Sequence, residues 1–352
     1  MTTTNAPTMR FLCFGAGAIG AYIGGSLALA GHSVVFLERP EPAERLRSSG
    51  LTLHLPGGVR RIETPQVATN MDSALTTGPF DAAILAVKAF DTAGLVETLK
   101  PYRVALPPVM CFQNGVENEA LVTAALGDDK VISGTVTTAI GRRGPGEISV
   151  ERLRGVGLAN EHVLVSSLMG VLEDAGLRPR MFADPAAMKW SKMLTNLLAN
   201  ASSAILDMSP AEIYADPRLF RMEILMLREA LQVMRALGIR VVDLPSTPVR
   251  ALAFAAASLP PALSRPLLRR ALGAGRGAKM PSFHIDLYQG RGKSEVTYLN
   301  GAVVRFGERA SVPTPVNRLL TDTLTALTAG EIPLDLYAHR PADFLALLNS
   351  GA

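Results

Sequence analysis

A turn reading Gly15-Ala16-Gly17-Ala18-Ile19-Gly20 separates a short apolar run, Arg10–Phe14, from an apolar stretch of helix length, 18–30. This G-x-G-x-x-G constrains the fold more than any other feature of the chain. Gly15 permits a tight turn, Gly17 lets backbone approach a phosphate with no Cβ in the way, and Gly20 permits close packing of helix on sheet. The free N–H groups and the helix dipole then favour bound negative charge. Such a turn can also bind nothing. What favours a ligand is its setting: strand before, helix after, and a second strand, Ser33–Leu37, ending in charged residues at the expected distance.

The same region raises a different possibility. From Phe11 to Gly31 there are 21 residues without a charge, enough for a signal peptide or a membrane span. Six glycines within it, at 15, 17, 20, 24, 25 and 31, argue against both. The chain of 352 residues is long enough for about two domains. With 48% apolar and 19% charged residues it fits neither a disordered chain nor a coiled coil. A net charge of +4, spread without long runs, does not call for nucleic acid. Cys13 and Cys111 make no disulfide framework, and the five histidines form no metal-ligand pattern. The expectation is a cytoplasmic protein that uses no metal, no membrane and no nucleic acid.

Strand and helix signals alternate up to about residue 184. Asp81–Val87, 109–112 and 131–137 read as further buried strands, and Ala43–Ser49 and Asp91–Leu99 as helices. Beyond Asp184-Pro185 helical periodicity takes over, at 186–206, 217–237, 248–272 (broken), 294–307 and 315–329. The expected architecture is a Rossmann-type α/β domain over residues 9–184, then an all-α domain over 185–340. Residues 1–8 read as a polar leader, and the Pro/Arg/Ala-rich stretch 244–280 as a flap or an insertion.

Ligands of open α/β sheets bind beyond the carboxyl ends of the strands. Glu38-Arg39, Lys88 and Asn114 stand there. An acid ending the second strand bonds the ribose 2′-hydroxyl of NAD, whereas an arginine accommodates the 2′-phosphate of NADP. Both are present. If Glu38 turns away and Arg39 meets the phosphate, the cofactor is NADP(H), the reading favoured here. Lys88 suits a cofactor or substrate contact and equally a surface lysine capping a strand. Asn114 suits a ribose contact and equally a turn residue beside Gly115.

Lys192, Asn196 and Asn200 recur every four residues, which on one helix puts them on a single face about 6 Å apart. A lysine beside two amides can polarise a carbonyl and bond hydroxyls. A solvated polar face is the plainer alternative, yet asparagine is a poor helix former. Lys189, three residues earlier, is the competing lysine.

Together these pieces resemble the ketopantoate reductase family. The resemblance runs from about residue 9 to 330. It rests on Gly15–Gly20, Val87-Lys88-Ala89-Phe90, Gln113-Asn114-Gly115, Lys189-Trp190-Ser191-Lys192 with Asn196 and Asn200, 294–301 and 312–317. It implies NADPH-dependent reduction of 2-dehydropantoate to pantoate, toward pantothenate and coenzyme A. It also implies a catalytic Lys192 with Glu295 as acidic partner, and substrate contacts from Asn196, Asn200 and Ser282. Cofactor contacts fall on Gly15, Ala16, Gly17, Ala18, Ile19, Gly20, Arg39, Lys88 and Asn114. By analogy with other helical C-terminal domains, a homodimer is expected.

Chemically, reduction of a ketone builds negative charge on oxygen and needs a proton donor beside it. Lys192 is protonated at neutral pH and suits that task. Glu295 would orient Lys192 or bind a substrate hydroxyl; an acid in the first turn of a helix at Ser294 is the simpler account. Two other functions fit part of the pattern: a reductase of another branched 2-oxo acid, and a non-catalytic NADP(H) sensor. The sensor would have no need for Lys192, Asn196, Asn200 and Glu295 together.

Overall fold

The structure is a computed structural model that describes residues 8–260, 264–266 and 280–350. Most of the expected leader, and the 261–263 and 267–279 parts of the expected flap, lie outside the described residues. The chain forms two compact units. One comprises the residues up to Lys189 together with Leu244–Thr247, the other Trp190–Asp243 and the residues from Pro248 onward.

In the first unit eight strands form one sheet: β1 (Arg10–Phe14), β2 (Ser33–Leu37), β5 (Gln66–Ala68), β6 (Ala82–Leu85), β7 (Val109–Cys111), β8 (Val131–Val136), β11 (Val156–Ala159) and β12 (Pro179–Phe182). Their order is β12-β11-β8-β7-β6-β1-β2-β5. From β5 to β8 every pair is parallel; β11 runs antiparallel to β8. Side chains of β1 alternate between two cores, Phe11 and Cys13 on one face, Leu12 and Phe14 on the other. Burial on both faces explains why the strands read as unbroken apolar runs. The chain progresses outward from β1 through β2 to β5, then returns to β6 on the other side of β1. The point where strand order reverses therefore lies between β1 and β6, where such sheets bind ligands.

A second sheet was not expected from the sequence. It has the order β4-β3-β10-β9, built from β3 (Leu51–Leu55), β4 (Gly58–Ile62), β9 (Ala139–Gly144) and β10 (Glu147–Arg152). The helix Ala18–Leu29 lies between the sheets and is buried from Gly20 to Leu27. A Cβ on Gly24 would come within 2.8 Å of the Phe36 ring on β2, and one on Gly25 within 3.0 Å of Leu53 on β3. A helix buried on all sides is apolar all round, which accounts for the charge-free stretch 11–31. No described helix is long and apolar enough to cross a membrane.

The second unit contains helices and no described strand. Pro217–Ala236 is its longest helix, with Asp216 capping the N-terminus through the Arg218 N–H. Two expectations are corrected. The helix expected over 186–206 is broken: Pro185–Leu197 ends, Ala199 adopts a left-handed conformation, and a new helix runs from Asn200 to Leu206. The expected helix 294–307 is a 3-10 turn, Glu295–Tyr298, followed by the helix Asn300–Arg309.

Pro315–Ala329 begins with a proline, which has no N–H to lose there. Its next two N–H groups, of Val316 and Asn317, are accepted by the buried Glu229 at 2.8 and 2.9 Å, and the Asn317 side chain adds a third bond at 2.7 Å. Burial pushes the Glu229 carboxyl above its ordinary pKa, against the pull of those bonds. The folded group thus binds its proton more tightly than the unfolded chain does. Its contribution to stability is complete below the unfolded carboxyl value, about 4.3, and is lost as pH rises through the folded value. Glu229→Gln is expected to flatten the slope of stability against pH above the ordinary carboxyl value of about 4.3, as read from urea midpoints. A slope equal to that of wild type would exclude Glu229 as its source.

Candidate active site and dinucleotide cradle

The cradle is built where β1 ends. Gly15 has φ +88°, a conformation that favours glycine, and its N–H bonds Leu37 O at 3.0 Å. A Cβ on Gly20 would collide with Gly15 O at 1.9 Å. At Gly17 a Cβ would meet nothing within 4 Å. Gly15 and Gly20 are therefore glycines because the protein requires it, and Gly17 opens onto free space. That space, at the N-terminus of the helix Ala18–Leu29, fits the phosphate contact expected of a dinucleotide. Ala16, Ala18 and Ile19 complete the turn.

Glu38 does not turn away as expected. Its Oε1 accepts the Ala16 N–H at 2.5 Å and its Oε2 the Arg39 N–H at 3.3 Å, so the carboxylate lies over the glycine turn. Arg39 is exposed at the N-cap of the helix Pro40–Ser49. Among the described residues its guanidinium makes no ion pair.

Two more sequence-selected residues stand at this edge of the sheet. Lys88 is half-buried and is the N-cap of the helix Ala89–Leu99, after β6. Val87 beside it would lie 3.3 Å from a Cβ on Gly15. Asn114 follows β7 and precedes Gly115, whose φ of +95° turns the chain sharply. A network that sequence reasoning missed holds this edge. Gln113 Nε2 donates to Val87 O at 3.0 Å and to Thr92 Oγ1 at 2.6 Å. Thr92 donates to Asn118 Oδ1 at 3.0 Å, and Asn118 Nδ2 to Asn114 O at 2.7 Å. Asn118 repeats Asn114 at a spacing of four, the one visible clue.

The two lysines of Lys189-Trp190-Ser191-Lys192 have different surroundings. Lys189 is buried, and its Nζ donates to Gln113 O at 2.8 Å and Gly134 O at 3.1 Å. It also lies 2.7 Å from Glu119 Oε1, close enough for an ion pair though not aligned as a hydrogen bond. With these partners Lys189 ties β7, β8 and the helix Asn118–Leu126 together. Trp190 packs edge-on against Phe306 at 5.3 Å, and Ser191 Oγ accepts the Val242 N–H at 2.9 Å. Of the four, only Lys192 is not fully buried; it is half-buried, one turn before Asn196 on the same helix.

In the helical unit the structure brings Asn196, Asn200 and Ser282 together. Asn200 Nδ2 donates to Asn196 O at 3.1 Å and approaches Ser282 Oγ at 3.5 Å, while its Oδ1 accepts the Phe283 N–H at 3.1 Å. Ser282 is exposed at the start of the helix Ser282–Tyr288. Asn196 is half-buried, one turn beyond Lys192 on Pro185–Leu197. Asn200 therefore does not continue their stripe; it starts the next helix after left-handed Ala199, a conformation that costs an alanine about 1 kcal/mol or more. Glu223, fully buried and not anticipated, holds that break: it accepts the Ala199 N–H at 2.8 Å and the Ser202 hydroxyl at 2.5 Å. Glu295 is buried at the first position of its 3-10 turn, which Ser294 caps through the Val296 N–H. Among the described residues no cluster of three or more His, Cys, Asp or Glu is arranged to hold a metal.

Comparison with known proteins agrees with this layout. The family described as ketopantoate reductase PanE/ApbA matches residues 11–159, and its C-terminal domain matches 184–328. A 2-dehydropantoate 2-reductase of Halobacterium salinarum is 28% identical over 324 residues, covering 89% of this chain and 97% of that protein. One from Archaeoglobus fulgidus is 28% identical over 327 residues, covering 91% and 98%. Among solved structures, a PanE/ApbA family ketopantoate reductase from Ralstonia eutropha superposes with a TM-score of 0.78 at 25% identity, covering 92% of this chain and 99% of that one. A D-mandelate dehydrogenase, solved with NADH and anilino(oxo)acetate, shares the fold at a TM-score of 0.75 and 20% identity, with the same coverage.

Proposed function

The chain belongs to the ketopantoate reductase family, and from that premise we propose that it reduces the ketone of a 2-oxo acid, 2-dehydropantoate, to the 2-hydroxy acid pantoate. The observation that carries this reading is the division of labour between the lysines. Lys189 is buried with its Nζ on the carbonyls of Gln113 and Gly134, whereas Lys192 is half-buried one turn from Asn196, and that difference in burial favours Lys192 as the lysine that meets the substrate.

A nicotinamide dinucleotide bound at the glycine turn supplies a hydride. The residues to hold it are Gly15, Ala16, Gly17, Ala18, Ile19 and Gly20 at the pyrophosphate, with Lys88 and Asn114 at the neighbouring strand ends. Of the two candidate readers of the adenosine ribose, Arg39 favours a 2′-phosphate and Glu38 an unmodified hydroxyl. The Lys192 ammonium donates a hydrogen bond to the ketone oxygen and then gives that oxygen its proton, so the charge that develops is neutralised where it forms. Asn196 and Asn200 bond the substrate's polar groups, the distal hydroxyl among them. Ser282 serves the carboxylate, and Glu295 orients the lysine or accepts from the hydroxyl.

A substrate panel tests this reading. Consumption of the reduced dinucleotide is followed with 2-dehydropantoate, 2-oxoisovalerate, pyruvate and phenylglyoxylate. A hydroxyl that bonds these amides is worth about 1–2 kcal/mol, so kcat/KM for 2-dehydropantoate should exceed that for 2-oxoisovalerate by roughly five- to thirtyfold. An equal or inverted ratio would assign the amides to some other group and the enzyme to another 2-oxo acid.

A further inference from the structure

We propose that Glu38 selects the dinucleotide that lacks a 2′-phosphate, so that this enzyme prefers NADH to NADPH. The inference rests on the dinucleotide-binding reading above and reverses the NADP(H) preference suggested by Arg39.

Glu38 stands at the end of β2, next to the turn that takes the pyrophosphate, where the adenosine ribose of a dinucleotide lies in this topology. Its carboxylate is fixed there by backbone. Oε1 accepts the Ala16 N–H from within the G-x-G-x-x-G, and Oε2 accepts the Arg39 N–H. A Cβ on Gly15 would lie 4.0 Å from Oε1, so the carboxylate borders the first glycine directly. An ionised carboxylate can only accept hydrogen bonds. A ribose 2′-hydroxyl has a proton to donate to it. A 2′-phosphate brings a charge of about −2 and, in its ionised form, no donor, and so places like charges side by side.

Arg39 is the opposing candidate and is less well placed to prevail. Its guanidinium is exposed and has no ion-pair partner among the described residues to hold it toward the ribose. A contact made by a long, solvated side chain loses much of its strength to screening and to side-chain entropy. The carboxylate is pinned to the turn, whereas the guanidinium must be ordered by its ligand.

Calorimetric titration of the full chain with ADP-ribose and with 2′-phospho-ADP-ribose tests the proposal without chemistry at the ketone. These fragments carry neither nicotinamide nor substrate, so the outcome is independent of Lys192 and of the identity of the 2-oxo acid. The expected result is a Kd at least about tenfold lower for ADP-ribose, a difference of about 1.4 kcal/mol. Glu38→Gln should remove this preference or reverse it in favour of the phosphorylated fragment; Glu38→Asp should retain its sign. Equal binding, or tighter binding of 2′-phospho-ADP-ribose by the wild type, overturns the proposal and returns the selection to Arg39. Failure of both fragments to bind overturns it together with the dinucleotide site. Loss of activity toward every 2-oxo acid with the fragment preference intact would instead count against the proposed reaction alone.

Discussion

Lys192→Ala should lower kcat by at least about two decades, the usual cost of removing a general acid, while dinucleotide affinity stays close to that of wild type. The separation follows from where the groups lie in the sequence: the glycine turn is at residues 15–20, whereas Lys192 follows Lys189 on the helix Pro185–Leu197. The effect should appear in kcat as well as kcat/KM, because the hydrogen bond strengthens as charge builds on the ketone oxygen. Lys192→Arg keeps the charge and gives up its proton far less readily, so it should recover binding of the 2-oxo acid and little of the rate. Near-normal turnover in Lys192→Ala would remove this lysine from the reaction.

The second large effect falls on the neighbouring lysine and concerns stability. Lys189→Met is expected to destabilise the chain by about 3–5 kcal/mol, the range seen when one member of a buried ion pair is removed. The ammonium is 5% exposed and Glu119 16%, so solvent offers little compensation. The substitution leaves the Glu119 carboxylate without its cation and withdraws the Nζ donor from the carbonyls of Gln113 and Gly134. Removing both charges, in Lys189→Met with Glu119→Leu, should recover a large part of the loss, because an apolar pair of similar volume tolerates the site. Denaturant midpoints of the single and double variants make the comparison. A single variant within about 1 kcal/mol of wild type would show that the pair contributes little.

The α/β sheet was legible because its strands are buried on both faces and its helices are of ordinary length. The glycine turn was legible because each glycine answers a separate steric demand. The four-stranded sheet escaped notice for physical reasons. Leu51, Leu53 and Leu55 do alternate, and Pro56-Gly57 marks a turn, but the partner strand Gly58–Ile62 carries two arginines and is largely exposed. Strands Ala139–Gly144 and Glu147–Arg152 are likewise short and charged. The break before Asn200 was hidden because Ala199 is itself a good helix former. The group that stabilises its left-handed backbone, Glu223, comes from a helix further along the chain. Glu38 and Arg39 were both visible at the end of the second strand. Which of them faces the turn depended on a bond from Ala16, and no spacing in the sequence encodes that.

The helix that opens on Gly17 is gripped on both flanks, by Phe36 at Gly24 and by Leu53 at Gly25, with no slack at either point. A glycine turn mounted in this way cannot fluctuate independently of its supports. Occupancy at the turn should therefore register at a distance, as slower amide exchange in β3 and β10. Conversely, a lesion that loosens the small sheet should weaken nucleotide retention while leaving the main sheet folded. The small sheet thus serves as a brace, and substitutions within it are a way to tune affinity without altering any group that touches the nucleotide.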